Sequence, residues 1–437
     1  MRADPLAPGT GGPRTAATPS ASAPAIGGPP APARGRGRTW LRAAGAVFAV
    51  AWGGNQFTPL LVLYRDGARL GDQVVDLLLA VYVLGIIPAV LLGGALSDRV
   101  GRRRLVVPAP FIAAAGSVVL ASSGGAVPLL VAGRILSGIA LGLVMAAGTS
   151  WVTELSAAPF GRAPDAAAGA RRSSLALTGG FALGAVVAAG LAQFAPAPGV
   201  VPYLVHAGVA VALGALVLTC PETRPPSAGA RAVWRGLRIP SASHRRFRTV
   251  VLPAAPWVFT TATCAYAVLP SLAAPLAPDL DIAMAGVLCL VALGCGFAVQ
   301  PLVRRVGGVQ GGGRTGLGLG LAAVGMAAAA VAALTLNLLV ILAAAAILGT
   351  AYGVVLVSGL IEVQAIATRE DLAGLTGVYY SLTYLGFFVP ALLVLGARWV
   401  SYPAMLGVGG MLAAAWAITV AVAGARDDRR VAVPRGG

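Results

Sequence analysis

The chain has 437 residues, 57% of them hydrophobic and only 11% charged, with a mean hydropathy of +0.83. So little polar surface excludes a water-soluble protein of this length and points to one that crosses a bilayer many times. The net charge of +17 does not signal a nucleic-acid partner, because the basic residues, all arginine, lie in short connections between apolar runs.

Residues 1–39 are rich in Pro, Gly, Ala and Ser. They cannot bury enough surface to order themselves and are expected to form a disordered cytoplasmic tail without a signal-peptide core. Arg34, Arg36, Arg38 and Arg42 close this tail just before the first apolar run. Twelve runs follow, each near the ~20 residues that a helix needs to cross the hydrocarbon. Six fall at 41–63, 74–96, 105–122, 127–151, 173–195 and 201–220. Six more fall at 249–272, 284–303, 315–334, 337–361, 376–397 and 402–424. The fold class expected is therefore all-α, with twelve transmembrane helices.

Charge sets the orientation. Alternate connections carry Arg99, Arg102, Arg103, Arg104, Arg162, Arg171, Arg172, Arg304, Arg305, Arg314 and Arg369, whereas the opposite side has only Arg65, Arg69 and Arg398. Arginine gathers on the cytoplasmic side, so both termini, including the tail at 425–437, are expected inside a plasma or inner membrane. A basic linker at 221–248 separates six spans (40–220) from six (249–424). Trp234 and Phe247 among its arginines suggest a helix lying on the membrane surface. The halves also repeat in order. Leu177-Thr178-Gly179 in span 5 matches Leu375-Thr376-Gly377 in span 11, Glu154 after span 4 matches Glu362 ending span 10, and Pro202-Tyr203 matches Tyr402-Pro403. A duplicated six-helix unit predicts that order.

Between spans 2 and 3 the chain reads Gly94-Ala95-Leu96-Ser97-Asp98-Arg99-Val100-Gly101-Arg102-Arg103. Gly94 lets helices approach, Gly101 permits a turn with φ > 0, and Asp98 can neutralise arginine or a helix N-terminus. Span 4 contains Arg134-Ile135-Leu136-Ser137-Gly138 with Gly142, and Pro221-Glu222-Thr223-Arg224 follows span 6. Across residues 40–424 these motifs resemble the major facilitator superfamily (MFS), in particular bacterial drug and metabolite efflux members. The resemblance implies two pseudo-symmetric six-helix bundles with a substrate site near the midplane between them. It also implies that Asp98 faces the start of span 11 near Gly374 and Gly377, with the loop arginines engaging Glu154. Gly94, Asp98, Arg99, Gly101, Arg102, Arg103, Glu154 and Glu362 would then form a cytoplasmic gate. The sequence departs from the family pattern in two places. Gln300 stands where the second-half loop would carry Asp, and span 5 reads Gly184-Ala185 and Ala188-Ala189 in place of the antiporter glycine-proline signature.

Few polar residues lie within the spans. Arg134 costs about 2.5–3.5 kcal/mol to insert and is expected to face a cavity or a partner. Asn55, Gln56 and His206 fall at a similar depth, which suggests a polar layer shared by spans 1, 4 and 6. Asp76 is a carboxylate in the outer part of span 2; with Arg134 and His206 it is a candidate for carrying a proton. The second half offers Trp257, Tyr266, Tyr352, Tyr380 and Tyr384 as cavity candidates, the last two on one helix face. Such a lining would favour a largely apolar solute. The four cysteines have no metal-ligand spacing, and no nucleotide-binding Gly-rich loop with Lys exists. No cofactor, metal or enzymatic activity is expected. The expected protein is a monomeric secondary transporter in the lipid bilayer that exports a small solute by proton antiport, with metabolite or sugar uptake as the alternative.

Overall fold

The structure, a computed structural model, describes residues 38–66, 70–163, 166–224, 239–305, 312–368 and 371–432, without the side chains of Asp66, Asp98, 166–167 and 425–432. The expectations for residues 1–37 and 433–437, for Trp234, for Arg369 and for the Asp98 carboxylate lie outside these described parts. The backbone of 425–432 continues the last helix, and Phe247, expected on the membrane surface, is instead 4% exposed where the seventh span begins.

Twelve helical segments fill the twelve expected positions. The first half holds α1 (Thr39–Asn55), α2 (Asp72–Val100), α3 (Arg102–Ala121), α4 (Val127–Ser156), α5 (Ala168–Phe194) and α6 (Val201–Val217). The second holds α7 (Phe247–Leu276), α8 (Asp281–Arg305), α9 (Gly313–Thr335), α10 (Leu338–Ile366), α11 (Leu372–Gly396) and α12 (Tyr402–Gly424). Ten of them are long and apolar enough to cross a membrane unaided. The helix α6 is shorter, and α1 breaks into a turn that resumes as Leu61–Asp66. The break is polar: the Thr58 hydroxyl donates to Asn55 Oδ1 at 2.8 Å, the Asn55 amide donates to the Phe181 carbonyl at 3.1 Å, and the Thr58 N–H turns back to the Asn55 carbonyl at 3.2 Å.

The packing repeats between halves. Helix α2 lies on α4 as α8 lies on α10, α3 lies on α6 as α9 lies on α12, and α1 lies on α5 as α7 lies on α11. Glycine permits the closest of these approaches. A Cβ on Gly138 would collide with the Tyr82 carbonyl, and one on Gly353 with the Gly296 carbonyl, so backbone meets backbone in both halves. The tightest connections use left-handed residues, Gly124 and Gly125 before α4 and Leu336 before α10, and Asn337 caps α10 by accepting from Leu339 and Val340.

Two seams join the halves. Along α2 and α11 contact runs from Gly94 beside Ala373 to Tyr82 beside Phe387. Along α5 and α8 it includes Gly286 packed on Ala189 and extends inward to Phe181 beside Leu293 and Phe297. Toward the end that carries Arg102, Arg103 and Arg104, here called the basic end, α5 and α8 part.

Candidate functional site

Where α5 and α8 part, a cavity of about 470 Å³ lies between the halves. Residues of the basic end, Glu154, Ala170 and Arg304, line its mouth, and Phe181, Phe259, Tyr352 and Tyr384 close its inner end. Several turns depart from α-geometry here. A π-helical turn at Val144–Gly148 sits where Met145 lines the cavity and takes the Tyr384 hydroxyl at 3.2 Å, joining the two halves. A 3₁₀ turn at Tyr384–Phe388 sets Gly386 against the α7 backbone at Thr260. Phe259 stacks on Tyr384 with ring centroids 4.5 Å apart and lies 4.9 Å from Phe387, so the inner wall is one aromatic cluster. Behind it a second cavity, with room for about one water, is lined by Gly54, Asn55, Tyr82 and Tyr266. The Tyr82 hydroxyl is buried there without a hydrogen-bond partner among the described residues.

The aromatic candidates divide. Tyr352, Tyr380 and Tyr384 line the large cavity, and Tyr266 with Asn55 lines the small one. Trp257 faces the other way, packing against Leu321, Ala322, Ala351 and Ala413. Sequence reasoning missed Phe181, Phe259 and Tyr82; the seven-residue spacing of Phe259 and Tyr266, two turns of one helix face, was a usable signal.

Gln56, Arg134 and His206 line neither cavity; each bonds inside the first bundle, with Arg134 Nη1 and Gln56 Oε1 left without a hydrogen-bond partner among the described residues. Arg134, 1% exposed, donates to the Leu78 and Leu79 carbonyls at 3.1 and 3.3 Å. Its guanidinium lies between the rings of Phe57 and Tyr82, 4.5 and 4.3 Å from their centroids. It therefore fastens α2 to α4 through carbonyls and cation–π contacts. The polar layer runs through spans 1, 3 and 6 rather than 1, 4 and 6. Gln56 donates to Ser117 at 2.7 Å, Ser117 meets His206 Nδ1 at 2.7 Å, and His206 Nε2 reaches the Ala49 carbonyl at 2.9 Å. A carbonyl only accepts, so Nε2 carries a proton, and the Ser117 hydroxyl, which already accepts from Gln56, is placed to donate to Nδ1. Ser117, in an otherwise apolar span, gave no sequence signal for its linking role.

The end opposite the basic one is sealed by contacts between halves. Gln193 donates to the Asp279 carbonyl at 3.0 Å and accepts from the Ala283 amide at 2.9 Å. Arg398 donates to Gln73 at 3.0 Å. Arg65 reaches Ser271 at 2.9 Å, Asp76 at 2.6 Å and Asp72 at 3.3 Å. Asp76 thus has Arg65 as its partner, not Arg134.

At the basic end the following ion pairs, among the described residues, each join two groups of the same half. Gly101 takes φ +98°, as its place in the loop requires. Arg102 pairs with Glu154 at 3.4 Å and donates to Ser97 at 2.5 Å, and Thr223 also donates to Glu154. Glu222 spans the start of α3, accepting from the Arg102 and Arg103 amides at 2.9 Å each. A carboxylate on two free helical N–H groups is a strong cap. Its position in Pro-Glu-Thr-Arg was visible, but its target was not. Arg103 donates to the Leu218 carbonyl, while Arg99 is exposed. In the second half Glu362 takes a bidentate Arg246 at 2.5 and 3.2 Å. Asp371, 5% exposed, accepts from the Ser241 amide at 3.0 Å and from Thr368 at 2.9 and 3.0 Å. Burial works against its charge, but the Ser241 and Thr368 donors prevail and hold its pKa below the ordinary value.

Comparison with known proteins agrees with this architecture. No curated protein sequence matches the chain. Among solved structures, a POT peptide transporter in complex with sulfate superposes with a TM-score of 0.73 at 14% identity, covering 90% of this chain and 95% of the other. A POT family transporter in complex with a thioalcohol-conjugated peptide gives 0.74 at 11% identity, with 91% and 97% covered. A D-xylose–proton symporter gives 0.67 at 16%, with 87% and 96% covered. At these identities the likeness is one of fold. The sequence model of the Major Facilitator Superfamily matches residues 43–391, and this chain is a member of that family of multi-pass membrane transporters.

Proposed function

We propose that the protein is a proton-coupled exporter of a small, largely apolar or aromatic solute, acting as a monomer by alternating access across a plasma or inner membrane with both termini cytoplasmic. One observation carries this reading: a solute-sized cavity between the halves reaches the basic end, while hydrogen bonds between the halves close the other. If the basic end is cytoplasmic, as the arginine distribution favours, this is the conformation that loads cargo from inside. The aromatic inner wall suits an apolar body, while the hydroxyls of Thr149, Ser150, Ser173, Ser174 and Thr178 offer hydrogen bonds along the rest of the lining. The bundles then correspond to residues 40–220 and 249–424, joined by the linker at 221–248. Gly94, Gly101, Arg99, Arg102, Arg103, Glu154 and Glu362, with Asp98, hold the inner ends of the helices in register as that mouth opens and closes.

Asp76, buried beside Arg65 at the sealed end, is the favoured proton acceptor; protonation removes the charge that holds Arg65 in the seal. Uptake with protons is the second reading, supported by the fold shared with a D-xylose–proton symporter. Flux into vesicles separates the two. Export predicts that acidifying the lumen of inside-out vesicles drives solute accumulation, and that right-side-out vesicles accumulate none. Flux indifferent to the proton gradient would refute the coupling.

A further inference from the structure

The cavity mouth holds two charged side chains of opposite sign in different circumstances. Glu154 is already held by Arg102 and Thr223. Arg304, on the last turn of α8, lines the same cavity and has no ion-pair or hydrogen-bond partner among the described residues. One helical turn earlier on the same face stands Gln300, also in the lining. Gln300 is only 9% exposed, and its amide likewise has no hydrogen-bond partner among the described residues.

Gln300 occupies the place where the repeated loop motif would carry Asp. An aspartate there would sit four residues before Arg304 and neutralise it across the helix turn. With glutamine, Arg304 keeps its positive charge and both side chains offer N–H donors toward the cavity. The aromatic wall of Phe259, Tyr352 and Tyr384 lies farther in.

We infer that Gln300 and Arg304 form an anion-binding end of this cavity, and that the solute class is a small aromatic or apolar carboxylate. Its ring meets the aromatic wall, its carboxylate accepts from the guanidinium, and the Gln300 amide supplies a further donor. The inference rests on the reading of the cavity as the solute site and adds the charge of the solute.

Three naphthalene probes of matched shape test it on the purified full chain at pH 7.5: 2-naphthoate, 2-naphthylmethanol and 2-naphthylmethylamine, with affinity read from naphthalene fluorescence. The expected order is naphthoate first, about tenfold ahead of the alcohol, with the amine last. In Arg304→Gln the ratio of naphthoate to alcohol affinity collapses toward one, Arg304→Lys keeps most of it, and Gln300→Asp lowers naphthoate affinity by neutralising Arg304. Arg304 is exposed, so its two replacements leave the bundle core intact. A naphthoate affinity no better than the alcohol's, or an affinity ratio unmoved by Arg304→Gln, overturns the anion assignment while leaving the cavity reading in place. Binding of none of the three overturns both.

Discussion

The two halves repeat one helix arrangement and both line the cavity, the first with the hydroxyls of Thr149, Ser150, Ser173, Ser174 and Thr178, yet they use the larger polar groups of their spans differently. In the first half, Arg134, Gln56, Ser117 and His206 turn inward and bond to backbone or to one another. In the second half, Gln300, Arg304, Tyr352, Tyr380 and Tyr384 face the space between the halves. The difference teaches that an ionisable residue within a span is not by itself a site. A span residue is structural when its bonds and ring contacts hold it inside its own bundle, and available to a solute when it lines the space between the bundles.

The largest test of this contrast is Arg134→Ala. It removes two charge-assisted hydrogen bonds and two ring contacts, so the protein should lose on the order of 3 kcal/mol or more. A sharply lowered thermal midpoint in detergent, with poor recovery from the membrane, is expected. Normal stability with abolished transport would instead return Arg134 to the solute path and break the comparison. Tyr384→Leu sharpens it from the other side. Affinity for a naphthalene probe should fall about tenfold, roughly 1.4 kcal/mol, with a far smaller change in melting than Arg134→Ala gives.

Two smaller effects compare the basic ends of the halves. Glu222→Ala uncaps α3 and should cost about 1 kcal/mol in thermal or denaturant unfolding, with hydrogen exchange rising first at residues 102–106. Asp371→Asn weakens the contact between Ser241 and the start of α11, costing about 1 kcal/mol at neutral pH. Because the folded-state pKa of Asp371 is depressed, its contribution is present above the ordinary carboxylate range and is lost as pH falls through the folded value. The melting difference between wild type and variant should therefore shrink on acidification; a constant difference would mean that the carboxylate charge is not what matters.

Much of this was legible in the residues. Apolar run length and arginine spacing gave the twelve crossings, because the bilayer imposes both. The turn at Gly101 and the pairing of Arg102 with Glu154 followed from local residue types and the loop motif. The solute cavity was legible only in part. Tyr352, Tyr380 and Tyr384 could be named from their helix, but the direction in which Trp257 points depends on how α7 rotates against α9, α10 and α12. Helices hydrophobic all round carry no such signal. The partner of Asp76 depended on the break that brings Arg65 over the start of α2, and Ser117 became meaningful only once α3 stood between α1 and α6.

The central claim is that the halves rock as units, so that opening one end closes the other. Spin-label distances can read both ends in the same preparation conditions, one pair at Ala170 and Arg305 across the cavity mouth and the other at Phe194 and Leu280 across the sealed end, all exposed positions. The trigger is Arg65→Ala, which removes the seal to Ser271 and Asp76 without touching the cavity. The account predicts that the Phe194–Leu280 distance lengthens while the Ala170–Arg305 distance shortens. Lengthening at the sealed end with no answering change at the mouth would contradict it.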